Sequence, residues 1–430
     1  MAAPVVVRSF RFCPRRPLKN RKEYLTTITI YKFFRTFTIA ITYSSFHKNC
    51  IIKIEVKVLS FLINFLIMLS EIIPLIQKVT ERENLTATET EKAFSILTKE
   101  DVDAYYFLVF LAALHAKGET ADELLGYIHR TEKLVPPHNI KLDGDVIEIA
   151  GTGGDKLKTL NVSTAVAFVL ASLGIYVPKQ SFFAVTGVTG SGDLLGAFGV
   201  DVMKISLSGI DKITELLRKT KVATFVVNFM ANPEEIKGVL TWAKKRQELD
   251  LNFITIFHLA ANVYNPFPMR RRIYGVFDPK YLRVLAELFQ KLNYERGLVF
   301  YGGGGLDEVS NIGETQFIEF SQSGLKAYKL SPDDFGIRVA KQEEIRATSK
   351  EKNIQDFLGV IYGKERGPKC DLVAINASVA LYAVGRIKSW REGTELAKKQ
   401  LKSGEVAQTF ENYIRVAGDS NLLQKYLATL

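Results

Sequence analysis

The sequence predicts an α/β protein, with a small N-terminal helical domain followed by a larger α/β domain that has a mainly parallel central sheet and C-terminal helices. Three observations carry this reading. Apolar residues at helical spacing fill the stretch from Met68 to about Val135. Short β-rich runs then alternate with glycine loops and helices to about Tyr301, and the last sixty residues return to helical spacing. Strand and helix in alternation point to a parallel sheet, because parallel neighbours must be joined by a crossover, usually a helix.

Taken in order, Leu69, Ile72, Ile73, Leu75 and Ile76 lie at mixed three and four spacing. Thr86 and Thr88 before Glu89 and Glu91 form a helix start, with a threonine cap and acids placed to meet exposed amides. Residues 104–117 are apolar enough for a packed helix, 119–130 add another, and Pro136 and Pro137 close the helical unit. Strands are then expected at 145–150, 175–179, 223–228, 253–257, 272–277 and 297–301, with helices at 162–173, 233–248 and 279–292. Residues 374–387 make the clearest helix of the tail.

The 430 residues, 47% hydrophobic and 24% charged, can bury a full core and exceed one minimal domain. The net charge of +11 is local: residues 1–67 hold 12 Lys/Arg against two acids, Glu23 and Glu55, which leaves +1 for residues 68–430. A basic groove on the folded body is therefore not indicated. Residues 1–67 are expected to be an unstructured extension or a start assigned too far upstream, in preference to a targeting or DNA-binding arm. Residues 68–136 then form the helical domain and 137–430 the α/β domain, against whose partner the C-terminal helices can return. The apolar run at 58–69 is shorter than the ~18–20 residues of a membrane helix. Cys13, Cys50 and Cys370 are far apart, so neither a disulfide framework nor a zinc site is suggested, which fits a reduced, cytoplasmic protein.

The most informative stretch runs from Asp145 through Gly151-Thr152-Gly153-Gly154-Asp155 to Asn161-Val162-Ser163-Thr164 and an apolar helix. Glycines let backbone amides approach an anion with no Cβ in the way, and a helix N-terminus adds unpaired N–H groups, so phosphate binding is the functional reading. The string is neither GxGxxG nor GxxxxGK[ST], which excludes a dinucleotide motif and a P-loop. Asp307 and Glu308 follow the apolar run 298–301 and four glycines. On a strand such neighbours face opposite ways; in a loop both can turn to one cation, and magnesium takes few carboxylates together with phosphates and water. By themselves the two acids read as a solvated surface turn, the usual place for such a pair.

Gly-Thr-Gly-Gly-Asp followed after five residues by Asn-Val-Ser-Thr resembles the phosphoribosyl diphosphate motif of the anthranilate phosphoribosyltransferase family, which serves tryptophan biosynthesis. Val177-Pro178-Lys179, Gly190-Ser191-Gly192-Asp193, Asn265-Pro266, Gly275-Val276-Phe277, Gly305-Leu306-Asp307-Glu308, Pro332-Asp333-Asp334-Phe335-Gly336 and Asn376-Ala377 continue the resemblance in order to the C-terminus. The resemblance implies that Gly151, Gly153, Gly154 and Asp155 wrap the diphosphate and ribose, with Asn161, Ser163 and Thr164 completing the cradle. It implies that Lys179 neutralises phosphate charge, and that Asp307 and Glu308, with the Ser163 hydroxyl, bind Mg2+. A homodimer is also implied.

The acceptor side departs from the family. Where the family continues His-Gly-Asn-Arg and a serine pair, this chain has Gln180-Ser181-Phe182-Phe183 and Thr186-Gly187, and His258 replaces an asparagine. Arg246 aligns with the carboxylate-binding arginine only across a two-residue insertion. Phe182, Phe183, Thr186 and Arg246 are thus the candidate acceptor residues. An apolar site holds a carboxylate only at a cost of several kcal/mol, so an aromatic or heterocyclic nitrogen acceptor other than anthranilate is expected. The alternative is the family's non-biosynthetic branch, associated with nucleic acid; the near-neutral charge of residues 68–430 counts against it. Nucleoside phosphorolysis ranks third, its loop signature being different.

Overall fold

The computed structural model describes residues 23–32, 35–44, 56–99, 102–154, 157–183, 189–251 and 253–430, with side chains from Ile67 onward. The chain divides into two units, 1–74 and 75–430. The first holds an antiparallel hairpin of β1 (Glu23–Lys32) and β2 (Arg35–Ser44), with Glu23 opposite Ser44 and Lys32 opposite Arg35. Both strands are rich in threonine, isoleucine and aromatic residues, which fit a pleated ladder. This differs from the expected unstructured extension. The expected boundary at Met68 also falls inside a helix, α1 (Val56–Thr80), whose last turns belong to the second unit.

The second unit continues with α2 (Ala87–Leu97), α3 (Ala104–Lys117) and α4 (Ala121–Leu134). The threonine cap is where the sequence places it: Thr86 Oγ1 accepts from the Glu89 amide at 3.2 Å, and the Glu89 carboxylate accepts from the Thr86 amide at 2.8 Å. Thr120 and Glu123 repeat the device at the start of α4.

The α/β part runs β3 (Glu148–Gly151), α5 (Val162–Ser172), β4 (Val177–Gln180), α6 (Ser191–Gly196), α7 (Val202–Leu207), α8 (Ile210–Thr220) and β5 (Val222–Phe225). After α9 (Lys237–Glu248) and α10 (Ile256–Ala260) come β6 (Arg271–Gly275), α11 (Tyr281–Lys291) and β7 (Arg296–Tyr301). A hairpin follows, β8 (Thr315–Ser321) and β9 (Gly324–Leu330). The tail is helical: α12 (Gln342–Ile345), α13 (Lys350–Ile361), α14 (Pro368–Ala383), α15 (Trp390–Ser403), α16 (Glu405–Ala417) and α17 (Ser420–Leu427).

Strands β3, β6 and β7 are parallel neighbours, and β8 and β9 extend them antiparallel. Strands β4 and β5 pair in parallel. A parallel bridge between Val146 and Tyr176, with Ile147 N–H donating to the Tyr176 carbonyl at 3.0 Å, places β4 beside β3. Five parallel strands thus end on one edge, so the loops after Gly151, Gln180, Gly275 and Tyr301 share that edge, the usual place for a ligand in such sheets. Helix α5 packs on β3, β4, β5 and α14, while α14 also packs on β6 and β7.

The expected strand at 253–257 is instead a loop and α10. Thr255 caps this helix, and Phe257 stands edge-on among Phe94, Phe107 and Tyr127, at centroid distances of 5.9, 5.9 and 5.4 Å. Packing of that ring against three others outweighs the local β pattern. The β8–β9 hairpin is not expected from the sequence, because β9 carries Lys326 and Lys329 and no apolar run, and none of its residues is buried. Among the described residues no helix is long and apolar enough to cross a membrane.

Candidate active site

The glycine string lies at the C-terminal end of β3. Gly153 and Gly154 take φ of +65° and +81°, which an L side chain rarely adopts. Gly151 and Gly275 are register partners on β3 and β6, and Asp307 lies across both. A Cβ on Gly151 would come within 2.3 Å of Asp307 Oδ2, and one on Gly275 within 1.6 Å of the Asp307 carbonyl oxygen. The Gly153 amide closes the contact by donating to Asp307 Oδ2 at 2.7 Å.

Glu308 accepts from Thr159 Oγ1 at 3.1 Å, so the acid pair is tied to the loop that leads into α5. Behind it, Asn376 of α14 accepts from the Val309 amide and donates to the Val309 carbonyl, both at 2.9 Å, which sets the turn from the back. Gly151, Ser163, Asp307, Glu308 and Asn376 line one cavity, so the two adjacent acids do turn to one place. Among the described residues no group of three or more His, Cys, Asp or Glu could hold a metal unaided. A pair of hard carboxylate oxygens next to an anion loop fits a magnesium ion that completes its shell from phosphate and water. A second cavity, between α16 and α17, borders none of these residues.

Lys179, buried on β4, donates to Ser163 Oγ at 3.1 Å and to the Ile149 carbonyl at 3.4 Å. Burial pushes its ammonium down to about 8, and the Asp307 carboxylate opposes that shift. A buried cation with its pKa brought near neutrality is poised to gain from an arriving phosphate. Asn161 stands at the N-cap of α5 without a side-chain cap bond and donates to the Thr189 carbonyl at 3.3 Å. Asn161 Oδ1 and Thr164 Oγ1 are buried with no protein partner, as is Ser181 Oγ after β4. A buried polar atom left so costs about 1–3 kcal/mol, which a polar ligand or water relieves.

The structure therefore gathers Gly151, Gly153, Gly154, Asn161, Ser163, Thr164, Lys179, Asp307 and Glu308 around one strand-end region. Asp155 and Thr186 lie outside the described residues. Phe182 and Phe183 follow β4 directly, Phe182 partly buried and Phe183 41% exposed. Arg246 is engaged elsewhere, donating to the Leu251 carbonyl at 2.7 Å and the Phe253 carbonyl at 3.0 Å, so it braces the loop before α10. His258 Nδ1 accepts from the Thr255 amide at 3.1 Å, and burial lowers its pKa with help from the Arg246 charge, which keeps the ring neutral.

Sequence reasoning missed Thr159, Asn262 and the role of Asn376. Asn262 Nδ2 donates to the Gly151 carbonyl at 2.9 Å. An asparagine inside the otherwise apolar run of α14 was a usable signal, since a buried amide needs partners; Thr159 carried none.

An α/β sheet whose strand-end loops bring an anion cradle, a buried lysine and an acid pair together is the site of a phosphate-handling transferase. Residues 143–407 match the glycosyl transferase family a/b domain, and residues 73–129 match that family's helical bundle domain. Anthranilate phosphoribosyltransferase from Petrotoga mobilis is 30% identical over 81% of this chain and 98% of its own length, and that of Methanosarcina acetivorans is 34% identical over 79% and 88%. The crystal structure of anthranilate phosphoribosyltransferase from Thermus thermophilus superposes with a TM-score of 0.70 at 29% identity, covering 79% of this chain and 98% of that one. The Saccharomyces cerevisiae structure in complex with PRPP and Mg, 22% identical, shares the fold at a TM-score of 0.70 over 80% and 97%. This chain belongs to the anthranilate phosphoribosyltransferase family, and it is a phosphoribosyltransferase of the glycosyl-transfer type.

Proposed function

We propose that this enzyme transfers phosphoribose from phosphoribosyl diphosphate, with magnesium, to an uncharged aromatic or heterocyclic nitrogen acceptor in preference to anthranilate. The observation that carries the donor half is the convergence of the Gly153 amide, Lys179, Ser163 and the Asp307-Glu308 pair on one strand-end region. For the acceptor half, support comes from Phe182 and Phe183 standing at the exit of β4, and from Arg246, whose donors go to the Leu251 and Phe253 carbonyls.

In the reaction the acceptor nitrogen forms a bond to the anomeric carbon while the bond from that carbon to the diphosphate oxygen breaks. Diphosphate leaves with the electron pair, and the nitrogen loses its proton to solvent. The transition state has oxocarbenium character, by analogy with other glycosyl transfers. Lys179 holds positive charge beside the departing diphosphate, and the backbone of the glycine loop orients it. Asp307 and Glu308, with the Ser163 hydroxyl, would hold the magnesium ion, which when bound would supply charge neutralisation. No nucleophilic side chain is required. Cytoplasmic action as a homodimer is part of the proposal, on family grounds, and light scattering of the purified chain tests the dimer.

The deciding experiment is a screen for diphosphate release from phosphoribosyl diphosphate across anthranilate and neutral nitrogen heterocycles. A neutral acceptor is expected to win. Turnover of anthranilate with kcat/KM in the ~10⁴–10⁸ M⁻¹s⁻¹ range usual for an enzyme on its own substrate overturns the acceptor assignment and restores tryptophan biosynthesis as the function. Binding of nucleic acid without any diphosphate release favours the alternative branch.

A further inference from the structure

The start of α6 is bound to the segment that leaves β4 by two reciprocal bonds. The Phe182 amide donates to Ser191 Oγ at 3.1 Å, and the Gly192 amide donates to the Phe182 carbonyl at 2.9 Å. The Gly190 amide is closed by Asp193 Oδ2 at 2.9 Å. On the other side, Asn161 of the anion cradle reaches the Thr189 carbonyl. The Phe182–Phe183 backbone, the first turn of α6 and the cradle therefore form one connected frame.

Within that frame Gly192 is out of place by helix chemistry alone. It lies inside the helix, its φ is not positive, and alanine is the better helix former there. What glycine supplies is space. A Cβ at 192 would stand 3.1, 3.2 and 3.3 Å from Cε1, Cδ1 and Cζ of Phe183, whereas carbons rest at about 3.5–4.0 Å. The Phe183 ring stands against the place a methyl group would fill, and Gly192 is buried while Phe183 stays 41% exposed.

We propose that Gly192 is a specificity-determining residue: by lacking a Cβ it seats the Phe183 ring as a platform on which an uncharged planar acceptor stacks. Aromatic faces bind planar rings by area and offset stacking, so a shift of a few tenths of an ångström in the platform is felt by the ligand stacked on it. The inference rests on the reading that the acceptor lies against Phe182 and Phe183. Gly192 touches the acceptor only through Phe183 and is a positioning residue in that sense.

The test is a double-mutant cycle of Gly192→Ala and Phe183→Ala, read as kcat/KM and KM for the best neutral acceptor and as the Kd of phosphoribosyl diphosphate. Gly192→Ala is expected to raise the acceptor KM about tenfold, the effect of one methylene in an apolar pocket, and to leave the diphosphate Kd unchanged. In the Phe183→Ala background the same change is expected to do nothing to KM, and its melting temperature should not fall, because alanine favours the helix. An equal factor in both backgrounds, or no effect of Gly192→Ala where Phe183→Ala alone raises KM, overturns the inference. No effect of Phe183→Ala alone instead overturns the underlying acceptor reading.

Discussion

The glycine loop and the Phe182–Phe183 segment leave neighbouring parallel strands, β3 and β4, yet they are held by different contacts. At the cradle Gly275 is pressed against the Asp307 backbone, and the Asp307 and Asn376 side chains tie the same turn to the Gly153 and Val309 amides. Beyond β4, the Gly192 amide on the Phe182 carbonyl is joined by a hydroxyl on the Phe182 amide and by a half-exposed ring against Gly192. Backbone contacts cannot adapt without moving a strand, while rings change rotamer. The difference means that a methyl group added at Gly275 meets backbone, whereas one added at Gly192 meets a side chain.

The comparison is sharpest where one methyl group is added on each side. Gly275→Ala would place its Cβ 1.6 Å from the Asp307 carbonyl, against backbone. Overpacking of this kind costs about 1–3 kcal/mol or more, and displacement of Asp307 should remove measurable turnover. Calorimetric melting together with diphosphate release checks both. A Gly275→Ala protein with wild-type turnover would show that the cradle is not rigid.

Next in size is the acid pair. Asp307→Asn with Glu308→Gln keeps volume and removes charge, so magnesium-dependent turnover should fall by about 10²–10³, the usual loss when transition-state charge stabilisation is removed. Titration calorimetry of phosphoribosyl diphosphate with and without magnesium reads the cause. Unchanged magnesium dependence in the double variant would remove the metal assignment.

Lys179→Met separates function from stability. The folded pKa of about 8 lies below the ordinary lysine value of 10.5, so between these values the unfolded chain holds more of this proton. The destabilisation is therefore fully present below pH 8 and is relieved as pH rises toward 10.5. In chelator, Lys179→Met should be more stable than wild type at pH 7, by on the order of 3 kcal/mol, with the gain fading by pH 10.5. Its turnover should drop sharply. Equal stability at pH 7 would mean that the lysine is better solvated than its burial indicates.

The smallest effect belongs to the acceptor side. Phe182→Asn with Phe183→Arg should raise anthranilate turnover relative to the neutral acceptor, by about tenfold, and leave binding of phosphoribosyl diphosphate nearly unchanged. Competition between the two acceptors measures it. A parallel fall in donor affinity would show that the two regions are not independent.

The parts legible in the sequence were those set by neighbours along the chain. Thr86 with Glu89 read as a cap because both partners sit within one turn. Gly151 to Gly154 read as an anion loop because strand, glycines and helix start are contiguous, and Lys179 and the Asp307-Glu308 pair entered through ordered motifs. Phe253–Phe257 misled, because the Phe257 ring is wanted by Phe94 and Tyr127, which lie far earlier in the chain. Arg246 was singled out through the family motif, and what the sequence did not show is that two of its nitrogens donate to the Leu251 and Phe253 carbonyls.

By itself, then, the sequence determined the α/β class, the Thr86 cap and the glycine loop between β3 and α5, since each depends on residues close together along the chain. Tertiary structure alone decided that Gly275 must be glycine because Asp307 lies over it, that Asn376 sets the turn of the acid pair, and that Gly192 makes room for Phe183. The reason is physical: close approach and burial are properties of surfaces brought together by folding, and no local pattern records which surface will arrive.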